Sequence, residues 1–170
     1  MKKKFLRAFT LSLCLLAAPF VSGNVTHNHV PTVFAEFDIF HDPNGFCDIH
    51  WDETLSTIQS THTTQLLGYY TGSAHYGIFI PEAKGCLYFS GPVAIRGIFM
   101  DDKLFGIQIP FSIEDYQNRY NALCRILGTP DDSNDNGFYC WKGPATFVML
   151  TKSQNKGVLV LAKNPTASNS

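Results

Sequence analysis

The stretch Phe111 to Pro130, FSIEDYQNRYNALCRILGTP, constrains the fold more than any other part of the chain. It carries a complete set of helix signals. Ser112 is a natural N-cap, Asp115 stands at N3 close to a capping box, and Phe111 and Tyr116 occupy the two positions of a hydrophobic staple. Ile113, Tyr116, Tyr120, Leu123, Cys124 and Leu127 share one face at helical spacing. Gly128 supplies a left-handed residue after the last turn, and Pro130 blocks continuation. A helix with one apolar face must cover something, and its flanks read as strands.

Downstream, GFYCW, ATFVMLT and GVLVLA read as three closing strands. Upstream, CLYFS, PVAIRGIFM and KLFGIQI read as successive strands, with Asp101-Asp102 as a hairpin tip. FAEFDIF (34–40) suggests a first strand and HDPNG a turn. FCDIHW alternates, placing Phe46, Asp48 and His50 on one side and Cys47, Ile49 and Trp51 on the other. An earlier helix is expected in DETLSTIQSTHTTQLLG, where Leu55, Ile58, His62 and Leu66 recur at helical spacing. Asp52 or Thr54 can cap it and Gly68 can end it, although its many Thr residues are weak helix formers. YYTGSAHYGIFI then enters a strand near Tyr76 to Ile80. The expected fold class is α+β, with two helices packed on one face of an antiparallel sheet. The two halves also read as tandem helix-plus-meander repeats.

The N-terminus sets the compartment. Lys2, Lys3, Lys4 and Arg7 precede the apolar run Ala8 to Ala18, and Val21-Ser22-Gly23 offers a small-residue cleavage site. This is the pattern of a bacterial-type secretory signal peptide, too short in its apolar part to span a bilayer. The expected organisation is a signal peptide over 1–23, a flexible arm over 24–33, one domain over 34–163 and a polar tail over 164–170. The expected location is the periplasm or the extracellular space, with no membrane anchor.

Four of the 13 Lys and Arg lie in that leader, leaving nine against 14 acids, a net charge of −5. No basic cluster survives, so nucleic acid is disfavoured as a partner, because it demands several cations against phosphate. Four cysteines remain, Cys47, Cys86, Cys124 and Cys140, at spacings of 39, 38 and 16 with no C-x-x-C. In an exported domain this favours two disulfides over zinc or redox chemistry. Three connectivities are possible. Cys124–Cys140 with Cys47–Cys86 is preferred, because the helix face carrying Cys124 and the next strand carrying Cys140 place those two thiols near one sheet.

HWDETLSTI, LGTP, FYCWKG and FMDDKLFGI resemble segments of the beta-lactamase-inhibitor-protein-like group, exported bacterial domains built from helix-plus-meander repeats. Its relatives include the small lipoprotein of the outer-membrane barrel assembly machine. The resemblance covers about two-thirds of the chain after the leader. It implies protein binding without catalysis.

Two stretches invite a functional reading. DDSNDNG places Asp132, Asn134 and Asn136 in the D-x-N-x-N-G order that begins an EF-hand loop. Position twelve is Gly143, where calcium would want a bidentate Glu, and a helix-to-strand turn accounts for every residue without metal. GYYTGSAHYG sets Tyr69, Tyr70 and Tyr76 among Gly, Ser and Thr, a mixture suited to contact loops because Tyr brings rigid amphipathic area. Core burial of two of the three tyrosines is the competing account. His62 reads as a satisfied core histidine, while His27, His29, His41 and His50 form no ligand set. There is no G-x-S-x-G, P-loop or H-E-x-x-H, and no cofactor is expected. The sequence therefore favours an exported, soluble, non-catalytic protein-binding or inhibitor-like module whose partner is another exported or envelope protein. Two other readings stay open: a secreted hydrolase with a dispersed carboxylate/histidine site, and a calcium-stabilised structural domain.

Overall fold

The computed structural model describes residues 42–166. The expected signal peptide, the arm, the strand at 34–40 and the last four residues of the tail lie outside the described residues.

The described residues begin with a small hairpin, β1 (Gly45–Phe46) and β2 (Ile49–His50), followed by α1 (Leu55–Thr61). Four strands follow: β3 (Thr63–Tyr70), β4 (Ser73–Ile80), β5 (Val93–Met100) and β6 (Lys103–Ser112). A 3-10 turn (Ile113–Asp115) leads into α2 (Tyr116–Leu127). Four more strands close the fold: β7 (Asp132–Asn134), β8 (Phe138–Lys142), β9 (Thr146–Lys152) and β10 (Lys156–Lys163). The last eight strands form one antiparallel sheet in the order β3-β4-β5-β6-β10-β9-β8-β7. The fold is α+β, and mostly sheet. The last strand of each run, β6 and β10, meets the other at the centre, with Ile109 opposite Leu159 and Ile107 opposite Leu161.

Alternation along the strands builds the core. Ile78 faces Ile95, and Ile109, Leu159 and Leu150 form a row across three strands, all of them buried. Ile58 from α1 and Leu123 and Leu127 from α2 join the same cluster. Each such side chain contributes roughly 1.5–3 kcal/mol of burial, so this cluster dominates the stability of the domain.

The entrance to α2 follows its sequence signals. Ser112 Oγ accepts from the Glu114 amide at 3.4 Å, and the Phe111 and Tyr116 rings stack 6.5 Å apart with 20° between planes. Gly128, at φ 79°, caps the far end. The first helix departs from expectation. It stops at Thr61, and the Thr-rich segment beyond it is the edge strand β3 instead of two more helical turns. Thr63 and Thr64 are β-branched and favour extended backbone, and Gln65 with Leu66 then pairs with β4. CLYFS is not a strand. It forms a 3-10 turn (Cys86–Tyr88) with Leu87 at φ 47° and Tyr88 at φ 62°. FCDIHW does not run as one strand either. Cys47, at φ 57°, reverses the chain, so Phe46, Ile49 and Trp51 all reach the core.

Candidate functional site

The β3–β4 hairpin concentrates exposed apolar surface. Thr71 (φ 47°) and Gly72 (φ 83°) form a two-residue turn with both central residues at positive φ, the conformation whose twist suits a tight hairpin. A bulge at Leu67 shifts the register between Leu66 and Gly68. Gly68 sits at φ 143° under the Tyr70 ring, which a Cβ would meet at 3.3 Å. The bulge throws side chains to both faces. Leu66, Leu67, Tyr69, Tyr70 and Phe79 are all exposed, Tyr69 by 72% and Tyr70 by 55%. Leu67 lies over Gly77, where a Cβ would come within 3.7 Å of it.

The three predicted tyrosines are divided. Tyr70 packs edge-on against His75 at 4.8 Å. Tyr76 is half-buried and edge-on to Phe99 at 5.6 Å. Tyr69 and Tyr76 meet at a cleft of about 260 Å³, walled by Leu55, Phe99, Asp101 and Asp102. Asp101 and Asp102, at φ 50° and 63°, form the β5–β6 tip. That tip is tied to α1, because the Leu55 amide donates to the Asp102 carbonyl at 3.2 Å and the Leu104 amide to the Glu53 carbonyl at 2.9 Å. Among the described residues neither carboxylate has an ion-pair partner. A second cleft, about 290 Å³, lies beside the Cys47–Cys86 bridge and Ile126. Both are smaller than the ~300–1,000 Å³ usual for small-molecule sites.

Ser73 and His75 look at first like a nucleophile and its base, with Oγ and Nε2 3.0 Å apart. The hydroxyl is already committed, donating to the Tyr70 carbonyl at 2.7 Å. His75 must then donate its Nε2–H to Ser73, which leaves Nδ1 buried without a partner. Burial, and then the charge of Arg96, push the imidazole below its ordinary pKa. Both residues are buried, so the pair locks the hairpin instead of meeting a substrate.

The cysteines divide as well. Cys47 and Cys86 are bonded, with Cα atoms 5.3 Å apart, within the normal disulfide range. The expected Cys124–Cys140 bridge is overturned, since both are free thiols. Strand parity gives the reason. Tyr139 and Trp141 face α2, with the Tyr120 ring 4.3 Å from that of Tyr139 and tilted by 36°. Cys140, between them, points to the opposite face, level with Met149, and burial raises its thiol pKa to about 11.

The calcium-like stretch is the edge strand β7 and a turn. Asn134 Oδ1 accepts from the Asn136 and Phe138 amides at 3.0 and 3.2 Å, and Asp131 accepts from the Lys142 amide at 2.7 Å. Asp132 is exposed on β7, and Asn136 is exposed in the turn that follows. No group of three or more His, Cys, Asp or Glu among the described residues is arranged to hold a metal ion. His62 caps α1, with its side chain buried between Thr61 Oγ1 at 2.8 Å and Asp48 at 3.4 Å.

Leu66, Leu67 and Phe79 were missed from sequence as exposed residues. The signal was the uncharged run TTQLLGYY, which helical spacing disguised. No described helix is long and apolar enough to cross a membrane. Comparison with family models, curated proteins and solved structures finds no match.

Proposed function

We propose that this chain is an exported, non-catalytic protein-binding module that engages its partner through the β3–β4 hairpin. The observation that carries this reading is the gathering of five exposed large apolar side chains on two adjacent strands at one edge of the sheet. Such patches on soluble domains mark interaction surfaces. The two edges differ in kind. β7 is three residues long, polar and charged, which discourages pairing, while β3 runs eight residues without a charge. A rigid Tyr-bearing turn, locked from behind by Ser73 and His75, offers contact area at low entropic cost.

The same reading takes the two halves as tandem helix-plus-meander repeats, each a helix followed by four strands, as in the beta-lactamase-inhibitor-protein-like group that the sequence resembles. The Cys47–Cys86 bridge is compatible with an oxidising compartment.

The test is affinity capture from the exported fraction of the source cells, with wild type against Tyr69→Ala/Tyr70→Ala. A partner recovered by wild type and lost with the double variant supports the assignment. Equal recovery of every bound protein by the two would remove the hairpin from consideration.

A further inference from the structure

We infer that the partner supplies an extended segment bearing a Lys or Arg, which adds as a strand to β3 and places its cation in the cleft between Tyr69, Tyr76, Asp101 and Asp102. This inference rests on the protein-binding reading above and names the chemistry of the partner.

Three observations converge at one end of the sheet. First, among the described residues β3 is an edge strand over Thr63–Tyr70, hydrogen-bonded to β4 on one side only. Its outer amides and carbonyls are therefore a template for an incoming extended chain, with the main chain giving affinity and side-chain pockets giving selectivity. Second, the cleft lies next to that edge, because Tyr69 belongs to both. Third, the cleft is complementary to a cation. Tyr69, Tyr76 and Phe99 provide aromatic walls, and Leu55 gives the aliphatic part of a long side chain a surface to cover. Asp101 and Asp102 supply two negative charges, and among the described residues no Lys or Arg lines the cleft. Lys103 follows them in sequence but belongs to β6, where it pairs with Met100. The backbone of the tip is held in place, since the Asp102 carbonyl accepts from the Leu55 amide at the start of α1. An anionic or purely apolar segment would leave these two charges desolvated and unpaired, which is what makes the site selective.

The experiment is a selection of random decapeptides against the full chain, followed by sequencing of the enriched pool. The variants are Asp101→Asn/Asp102→Asn and Tyr69→Ala/Tyr70→Ala. Asn tolerates positive φ, so the first variant keeps the hairpin tip. The expected pool has one Lys or Arg at a fixed place within a β-branched run. A peptide made from that pool should bind the Asn variant about tenfold more weakly, as for loss of a close charge pair. Retained binding of β-branched peptides through the tyrosines, with no preference for a cation or no difference at Asp101/Asp102, would overturn this inference and leave the protein-binding reading standing. Peptides that bind wild type and Tyr69→Ala/Tyr70→Ala equally would overturn both.

Discussion

The Trp51 indole N–H donates to Thr146 Oγ1 at 2.9 Å, inside the protein, across 95 residues of sequence. The same hydroxyl donates onward to the Pro43 carbonyl. Thr146 is fully buried at the start of β9, so one side chain joins the N-terminal hairpin region to the closing strands. Thr146→Val keeps the shape and removes both bonds, leaving a buried indole N–H without its acceptor. The expected cost is about 1–3 kcal/mol. The urea midpoint checks it, and an unchanged midpoint would show that the hydroxyl is dispensable.

The cysteine assignment is read directly by mass. Under denaturing, non-reducing conditions, alkylation should tag Cys124 and Cys140 and spare Cys47 and Cys86. In the native state at pH 8, Cys140 should react much more slowly than Cys124, because it is buried and its thiol is pushed up to about 11. Removing the bridge with Cys47→Ser/Cys86→Ser opens a loop with a sequence separation of 39, and should cost about 4 kcal/mol on the chain-entropy model. Protection of Cys124 and Cys140 from alkylation would mean that a second bridge exists after all.

His75 makes the hairpin acid-sensitive. Its folded pKa lies below the ordinary histidine value of 6.5, because burial disfavours the imidazolium and Arg96 adds to the penalty. The unfolded chain then binds the proton more readily than the fold does. Its contribution is complete above the unfolded value, near pH 6.5, and is lost as pH falls from there through the lowered folded value. Denaturant midpoints at pH 7.5 and pH 5.5 should therefore differ, and His75→Gln should shrink that difference. Asp42 acts in the opposite sense at lower pH. Burial raises its carboxyl, so its effect is a loss of stability as pH rises from the ordinary aspartate value of 3.8. An unaltered pH dependence in His75→Gln would dismiss the imidazole as its source.

Gly157 has a steric reason to be glycine. A Cβ there would enter the Phe111 ring, the ring that stacks on Tyr116 at the start of α2. Gly157→Ala should cost on the order of 1–3 kcal/mol through overpacking. Thermal melting checks this, with Phe111→Leu/Gly157→Ala as the relieving double variant. A double variant no more stable than Gly157→Ala would place the strain elsewhere.

The second helix was legible because local rules and tertiary demands agree there. Ser112, the Phe111–Tyr116 staple and Gly128 each act as their types suggest. β8, β9 and β10 were legible for the same reason. β3 was not, since Leu55, Ile58, His62 and Leu66 fit a helical spacing while the intervening threonines favour a strand, and cross-strand pairing with β4 decides. The Cys124–Cys140 expectation failed on strand parity, because proximity in sequence to the helix said nothing about which side of β8 carried the thiol. At the candidate site the tyrosine-rich turn was visible as a string. Its place beside an open sheet edge and the Asp101-Asp102 tip depends on strand order, which no local pattern encodes.

The most direct test compares the two edges of the sheet in the source cells, with a photo-crosslinking residue placed at Gln65 on β3 or at Ser133 on β7, both exposed. The account predicts a discrete cross-linked protein from position 65 and none from position 133. The same product from both positions, or one from position 133 alone, would contradict it.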